Sequence, residues 1–394
     1  MTLSRRKFLS QTVALGCSVA ASPLLTPVTF AATPGENRLV VIILRGAMDG
    51  LDVVQPYGDP NLAQWRPNLI AGEAAGSIDL DGFFSLNKGL ADLMPLWRAG
   101  ELSFAHAVST PYRDKRSHFD GQDLLENGGG NADATLTPGE DGWLNRVLSL
   151  IPDTHVETAF AVGRERMLLL EGAQDHSIWS PESALNLSSQ AELLLSRIYG
   201  SDALFTQTVQ MAMDLSKTND TMPMGGGRNG PIRALAQFTA DKLNDASRIA
   251  AFSVGGWDTH NNQSRSMGNA MEQLSEAILI LKNRLGNNWQ RTTVMAITEF
   301  GRTVAENGSQ GTDHGTGGAM IMAGGALKGR KVMTDWPGLD ESDLYQSRDL
   351  MPTSDVRRYA GWVLRDMFGL PLSDLGNIVF PGVDFGDSPG IIAG

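Results

Sequence analysis

Leu39-Val40-Val41-Ile42-Ile43-Leu44 is a run of six apolar residues, four of them β-branched, and it opens onto Arg45-Gly46-Ala47-Met48-Asp49-Gly50-Leu51-Asp52. A strand that is apolar throughout, with no polar alternation, is one buried on both faces. Similar runs recur at Leu102 to Val108, Thr158 to Val162, Arg248 to Val254, Thr292 to Ile297 and Ala319 to Ala323. Between them the spacing of apolar residues predicts helices over Lys88 to Arg98, His118 to Asn127, Ala191 to Tyr199, Pro231 to Ala246, Gln263 to Leu285 and Asp355 to Phe368. Pro231 suits a first helical turn, and Ser117 and Ser354 stand where caps are expected. Strands alternating with helices predict a three-layer α/β/α domain around a mostly parallel central sheet. In such sheets ligands bind outside the carboxyl ends of the strands, so the segments that follow the apolar runs are where chemistry is expected.

The chain has 394 residues, enough for one large α/β domain with a sizeable core, and it is 42% hydrophobic and 19% charged, as folded globular proteins are. Its formal charge is −12, and the first 31 residues hold Arg5, Arg6 and Lys7 but no acid, so the chain beyond them is more acidic still. That balance argues against nucleic acid as a partner, because binding to phosphates needs basic surface. An acidic protein that handles anions needs a locally positive device such as a bound metal.

Ser4-Arg5-Arg6-Lys7-Phe8-Leu9-Ser10, a weakly apolar stretch from Val13 to Leu25 and the small residues before Ala32 read as a twin-arginine export signal over residues 1–31. The apolar stretch falls short of the ~20 residues that span a bilayer, and no later segment of the mature chain does so. The expected location is therefore periplasmic or secreted, with the twin-arginine translocase as a partner during export. That route carries folded proteins, often with a cofactor already loaded. Cys17, the only cysteine, lies within the signal, so thiolate ligands and cysteine nucleophiles are excluded from the mature chain. Residues 32–394 are expected to form the α/β domain, with the less regular region from about 128 to 230 as an insertion or cap on the sheet. Gly225-Gly226-Gly227-Arg228-Asn229-Gly230 spells a dinucleotide fingerprint but follows no strand and is set aside.

Asp49 follows the first strand, as a metal ligand or as a turn residue with Gly50. Gly255-Gly256-Trp257-Asp258-Thr259-His260 follows the run that ends at Val254, and the carboxylate and imidazole two residues apart can reach one cation. The alternative is that Asp258 caps the next helix and His260 is a solvated loop residue. Thr298-Glu299-Phe300-Gly301-Arg302-Thr303 follows the run ending at Ile297, and Gly311-Thr312-Asp313-His314-Gly315 supplies a second acid-histidine pair. Arg302 either pairs with Glu299 or contacts a substrate anion. Ser117, flanked by Arg113 and Arg116 at a helix N-terminus, is either a cap or a nucleophile, with Ser109 and Thr110 close by in sequence.

The export signal, Leu44-Arg45-Gly46-Ala47-Met48-Asp49-Gly50-Leu51, Arg116-Ser117-His118-Phe119-Asp120, Gly255-Gly256-Trp257-Asp258-Thr259-His260, Thr298-Glu299-Phe300-Gly301-Arg302 and Gly311-Thr312-Asp313-His314-Gly315 together resemble the bacterial family called domain of unknown function 1501. That family is grouped with the alkaline phosphatase and sulfatase superfamily. The resemblance implies an alkaline phosphatase-like fold, with Asp49, Asp258, His260, Glu299, Asp313 and His314 around a divalent metal. It implies Ser117 as nucleophile, and Arg113, Arg116 or Arg302 is expected to balance charge on the substrate. Zinc leads the expected metals, with manganese or calcium as alternatives. Glu299 stands where the superfamily has an Asp, and Phe300 where it has a second-metal histidine, so the implied set is one imidazole short. The expected function is an exported metal-dependent hydrolase of small-molecule or polysaccharide phosphate or sulfate esters. The alternative is a non-catalytic exported protein that keeps the fold and binds a polysaccharide or partner. Oligomeric state is not legible.

Overall fold

A computed structural model of the chain describes residues 36–69, 71–129, 141–163, 167–179 and 229–393. Its strands are β1 (Arg38–Leu44), β2 (Val54–Gln55), β3 (Ile78–Asp79), β4 (Ser85–Leu86), β5 (Leu102–Ser109), β6 (Ala159–Val162), β7 (Ser177–Trp179), β8 (Ile249–Val254), β9 (Thr292–Ile297), β10 (Gly318–Ala323), β11 (Val332–Met333) and β12 (Ser354–Asp355). The helices of eight residues or more are α1 (His118–Asn127), α2 (Trp143–Leu150), α3 (Gly230–Asn244), α4 (Gln263–Leu285) and α5 (Val356–Phe368). The main sheet runs β11-β5-β10-β9-β1-β8-β6-β7, with β12 also on β5, and β2, β4 and β3 form a small separate sheet.

The apolar run from Leu39 to Leu44 is β1, and it lies in the middle of the sheet, as predicted. Every residue of it is buried. Val40, Ile42 and Leu44 face a core completed by α3 and α4, through residues such as Phe238, Leu243, Leu274 and Ile278. Leu39, Val41 and Ile43 face a second core, with Trp143 and Leu144 of α2 and Trp362, Val363 and Met367 of α5. Successive side chains of a strand point to opposite faces, so two covered faces require the unbroken apolar run. Each fully buried aliphatic side chain contributes about 1.5–3 kcal/mol, and β1 carries six of them. The expected three-layer α/β/α arrangement is present.

The sheet is mostly parallel. β1 pairs parallel with β8 and β9, β6 with β8 and β7, and β5 with β11 and β12. The exception is β10, antiparallel to both β5 and β9, with a register shift between Gly318 and Ala319. Of the region expected as an insertion or cap, β6 and β7 extend the main sheet.

Two predicted boundaries differ. Lys88 to Arg98 is a 3-10 helix over Lys88–Leu93 followed by an α-helix over Met94–Ala99, because Leu90 leaves helical geometry and Pro95, which has no N–H to give, starts the second segment. The cap of α5 is Asp355, whose carboxylate accepts from Arg357 N at 2.9 Å, while Ser354 is taken into β12 against Val108. Ser117 does cap α1, accepting from Asp120 N at 3.4 Å. The predicted signal and the predicted helix Ala191 to Tyr199 lie outside the described residues. Among the described residues no helix is long and apolar enough to cross a membrane.

Candidate metal centre

Register decides which side chains meet. Leu44 pairs with Val254 and Ile43 with Ile297, so β1, β8 and β9 end at the same edge. The loops that follow carry Asp49, Asp258 and His260, and Glu299. Because β10 is antiparallel, its first residue, Gly318, lies beside Val108 at that same edge. The loop before β10, with His314, therefore joins the loops that follow the other strands, and so does the segment after β5 with Ser117 and His118.

Close backbone approach makes this possible. Gly46 has φ +118°, and a Cβ on it would collide with the Asp258 backbone nitrogen. A Cβ on Gly311 would collide with the His260 main chain. Residues 301–303 and 313–315 pair as a short antiparallel bridge, with Gly315 N donating to Gly301 O at 2.8 Å and Thr303 N to Asp313 O at 2.9 Å.

Within this edge His118, Asp258 and His314 converge, with one donor atom from each lying within 4.8 Å of the others. His118 Nε2 is 3.5 Å from Asp258 Oδ2, and His314 Nε2 is 3.4 Å from Asp258 Oδ1. His260 borders the group, its Nε2 being 3.1 Å from Asp258 Oδ1 and 2.9 Å from His314 Nε2. Three of the chain's six histidines thus meet at one carboxylate.

The far nitrogen of each ring is anchored. His118 Nδ1 is 2.9 Å from Glu299 Oε1, His260 Nδ1 is 3.0 Å from Asp313 Oδ1, and His314 Nδ1 is 2.8 Å from the Arg116 carbonyl oxygen. Ionised carboxylates and carbonyls only accept, so each Nδ1 is the donor, which in the neutral ring leaves Nε2 with its lone pair on the Asp258 side. Two facing Nε2 atoms at 2.9 Å then lack a donor between them. The His118 Nε2 atom is buried and has no hydrogen-bond partner. A cation is what such a set of imidazole and carboxylate donors wants, and anchored rings are the usual outer support of a histidine metal site.

Electrostatics point the same way. Burial alone would raise the Asp258 carboxyl, but the Arg302 hydrogen bond and charge, with His118 and His260, hold it below the usual carboxylate range. Glu299 is also depressed, its burial outweighed by hydrogen bonds from His118, Gln122 and the Gly46 N–H. Asp313 is depressed likewise, by His260 and Asn307 against burial. Glu299 in turn raises His118, chiefly through their hydrogen bond and against burial, while burial lowers His314 despite the Arg116 carbonyl. The carboxylates are ionised and the pocket favours positive charge.

The remaining candidates take other places. Asp49 is 1% exposed and pairs with Arg66 through both oxygens, Nη1 to Oδ2 at 2.8 Å and Nη2 to Oδ1 at 3.1 Å. Glu299 stands behind His118 and Asp313 behind His260, as supports to the rings. Arg302 is 1% exposed and donates to the carbonyls of Gly46, Ala47, Trp257 and Thr312 and, at 2.6 Å, to Asp258 Oδ1. It neither pairs with Glu299 nor faces outward to a substrate; it ties together the loops after β1 and β8 and the β9–β10 connection. Arg116 keeps a half-exposed side chain, 3.8 Å from Asp349.

Sequence reasoning assigned no role to His118. Its signal was present: it directly follows Ser117 at a helix N-terminus beyond a buried strand. Its ring stacks on Phe300 at 5.3 Å, so an imidazole from another part of the chain occupies the neighbourhood where the resemblance left the set short.

The family model described as "Protein of unknown function (DUF1501)" matches residues 98–370, more than half of the chain. The chain belongs to the DUF1501 family. Comparison of this DUF1501 chain with curated proteins finds no match. Among solved structures it is similar to an alkaline phosphatase superfamily protein from Vibrio parahaemolyticus, at 13% identity and TM-score 0.37, covering 84% of this chain and 72% of that one. It is also similar to the C-terminal periplasmic domain of EcEptC from Escherichia coli, at 9% identity and TM-score 0.42, covering 93% and 96%. A third is the PsFucS1 sulfatase from Pseudoalteromonas sp., at 12% identity and TM-score 0.38, covering 91% and 74%.

Proposed function

We propose that this DUF1501 protein is a metal-dependent hydrolase of phosphate or sulfate esters, exported through the twin-arginine route to the periplasm or cell exterior. The observation that carries the reading is the convergence of three Nε2 atoms on an ionised Asp258, each ring fixed at its Nδ1. His118, Asp258 and His314 would hold a divalent cation, with His260 as a further donor at the border. Three imidazoles and one carboxylate suit zinc best, with manganese or calcium as alternatives better served by oxygen-rich sets.

A cation held there would supply Lewis-acid polarisation of an ester oxygen. The chain's own residues do the rest. Glu299, Asp313 and the Arg116 carbonyl fix the ring orientations, and Arg302 holds Asp258. Arg348 donates to the His314 carbonyl at 2.9 Å, and it and Arg116, both half-buried beside Asp349, would supply the positive charge that flanks an anionic group at the cluster. Ser117, adjacent to His118, is the nucleophile in this reading. A second reading, a non-catalytic binding protein, is favoured by one contact: the Ser117 Oγ accepts from Asp120 N as an ordinary cap.

Elemental analysis of the mature protein, purified without chelator and set beside Asp258→Ala and His118→Ala, tests the metal. One or more equivalents lost in both variants, together with an ester hydrolase activity, supports the proposal. Metal and activity that survive both substitutions overturn it. Ser117→Ala should abolish turnover and leave metal content unchanged, and full activity in that variant would move the role to Ser109, Thr110 or water.

A further inference from the structure

Of the three ring anchors, two are carboxylates and one is a main-chain carbonyl, and the residue that provides it is strained. Arg116 has φ +53°, in the left-handed region that side chains other than glycine rarely adopt. That conformation turns its carbonyl onto His314 Nδ1 at 2.8 Å. The segment around it is pinned on both sides. The Ser117 N–H donates to the Tyr112 hydroxyl at 2.7 Å, and Asp114, also left-handed at φ +68°, accepts from Tyr345 Oη at 3.1 Å and Gln346 Nε2 at 2.8 Å. Backbone strain kept in place by such contacts usually serves a site. By contrast the Arg116 guanidinium has a loose contact, 3.8 Å from Asp349.

We infer that Arg116 is a positioning residue that acts through its backbone: its left-handed conformation holds His314 in the tautomer with Nε2 free for a cation. This inference rests on the metal reading above. It assigns the main chain of Arg116, not its charge, to the centre.

Arg116→Gly, Arg116→Ala and Arg116→Val test it, because all three remove the same guanidinium and differ in their tolerance of positive φ. The measurements are zinc(II) affinity by titration into metal-free protein and the His314 tautomer from imidazole 15N shifts without metal, with thermal melts to confirm folding. The glycine variant should bind zinc at least as tightly as the natural chain, and the valine variant about tenfold more weakly, with alanine between them. His314 should be Nδ1-protonated in the natural and glycine proteins and of mixed tautomer in the valine protein. Equal losses in all three would assign the role to the guanidinium and overturn the inference. So would undiminished binding with valine, or an Nε2-protonated His314 in the natural chain. If the natural chain binds no zinc while its His314 tautomer still follows the residue at 116, the metal reading fails and the positioning role stands.

Discussion

Asp49→Ala separates a structural acid from a metal ligand. In the folded protein the Asp49 carboxylate receives both Nη atoms of Arg66, Gln263 Nε2 at 2.7 Å and the Leu51 N–H at 3.1 Å. Arg66 is itself 2% exposed and donates elsewhere to the Thr303 and Val304 carbonyls. Truncating Asp49 leaves that guanidinium buried without its counter-charge, which costs about 3–5 kcal/mol, and removes the cap of the short helix Gly50–Val53, about 1 kcal/mol more. Asp52 offsets part of this. Burial and the Asp49 charge push the Asp52 carboxyl up, so loss of Asp49 favours its ionisation near Arg66. A net loss of about 3 kcal/mol follows, roughly 4 °C in Tm for a chain of this size. The assay is a thermal melt paired with metal analysis. Asp49→Ala should melt early and keep its metal, Asp258→Ala, which strips the buried Arg302 of its carboxylate, should melt early and lose metal, and the paired change Asp49→Leu with Arg66→Met should recover most of the stability. An Asp49→Ala protein with an unchanged Tm and no metal would refute the reasoning and restore Asp49 as a ligand.

Other expectations follow from the same contacts. Burial pushes His106 down to about 4, against hydrogen bonds to the Val54 and Gly50 carbonyls, so it is neutral when folded. The unfolded chain takes up its proton below the ordinary histidine pKa of about 6.5, so this stability is present above that value and is lost as pH falls toward 4, amounting to about 2 kcal/mol between pH 7 and 5. Denaturant melts at the two pH values check this, and an equal decline in His106→Gln would assign the effect elsewhere. Glu299→Gln removes the ionised acceptor behind His118 and should weaken zinc binding about 10- to 100-fold in a chelator competition; unchanged affinity would mean that the ring needs no anchor. Gly46→Ala meets both a positive φ and the Asp258 main chain, so it should lower Tm and metal content together, and a normal melt with full metal would show that the two loops can part.

The architecture was legible because burial on two faces leaves a period-free apolar run, and the runs at 39–44, 102–108 and 292–297 coincide with β1, β5 and β9 almost residue for residue. The direction of β10 was not legible, since a six-residue apolar run reads the same in either sense. That matters for the site: His314 follows β9 at a distance and directly precedes β10, and it reaches the ligand edge because β10 runs antiparallel. Asp258, His260 and His314 drew notice as acid-histidine pairs, and the structure gathers them. His118 stood beside no such pair in sequence; its carboxylate partner Glu299 is 181 residues away. Asp49 drew notice as a carboxylate after a buried strand and Glu299 through the family resemblance. Nothing in the sequence tells that Arg66 and His118 claim their oxygens first.

β10 has a further consequence. Among the described residues β5, with β11 and β12, reaches the rest of the main sheet through β10 alone. His118 hangs from the β5 side, Asp258 from the β8 side, and the register of one six-residue strand sets how far apart they stand. A slip of one residue along β10 would move the halves by about 3.3 Å, close to the whole span over which the donors converge. The bulge at Gly318 and Ala319 thus acts as a vernier for the centre. Because β10 lies late in the chain, nascent protein that stops short of it lacks the strand that brings His118 and Asp258 together.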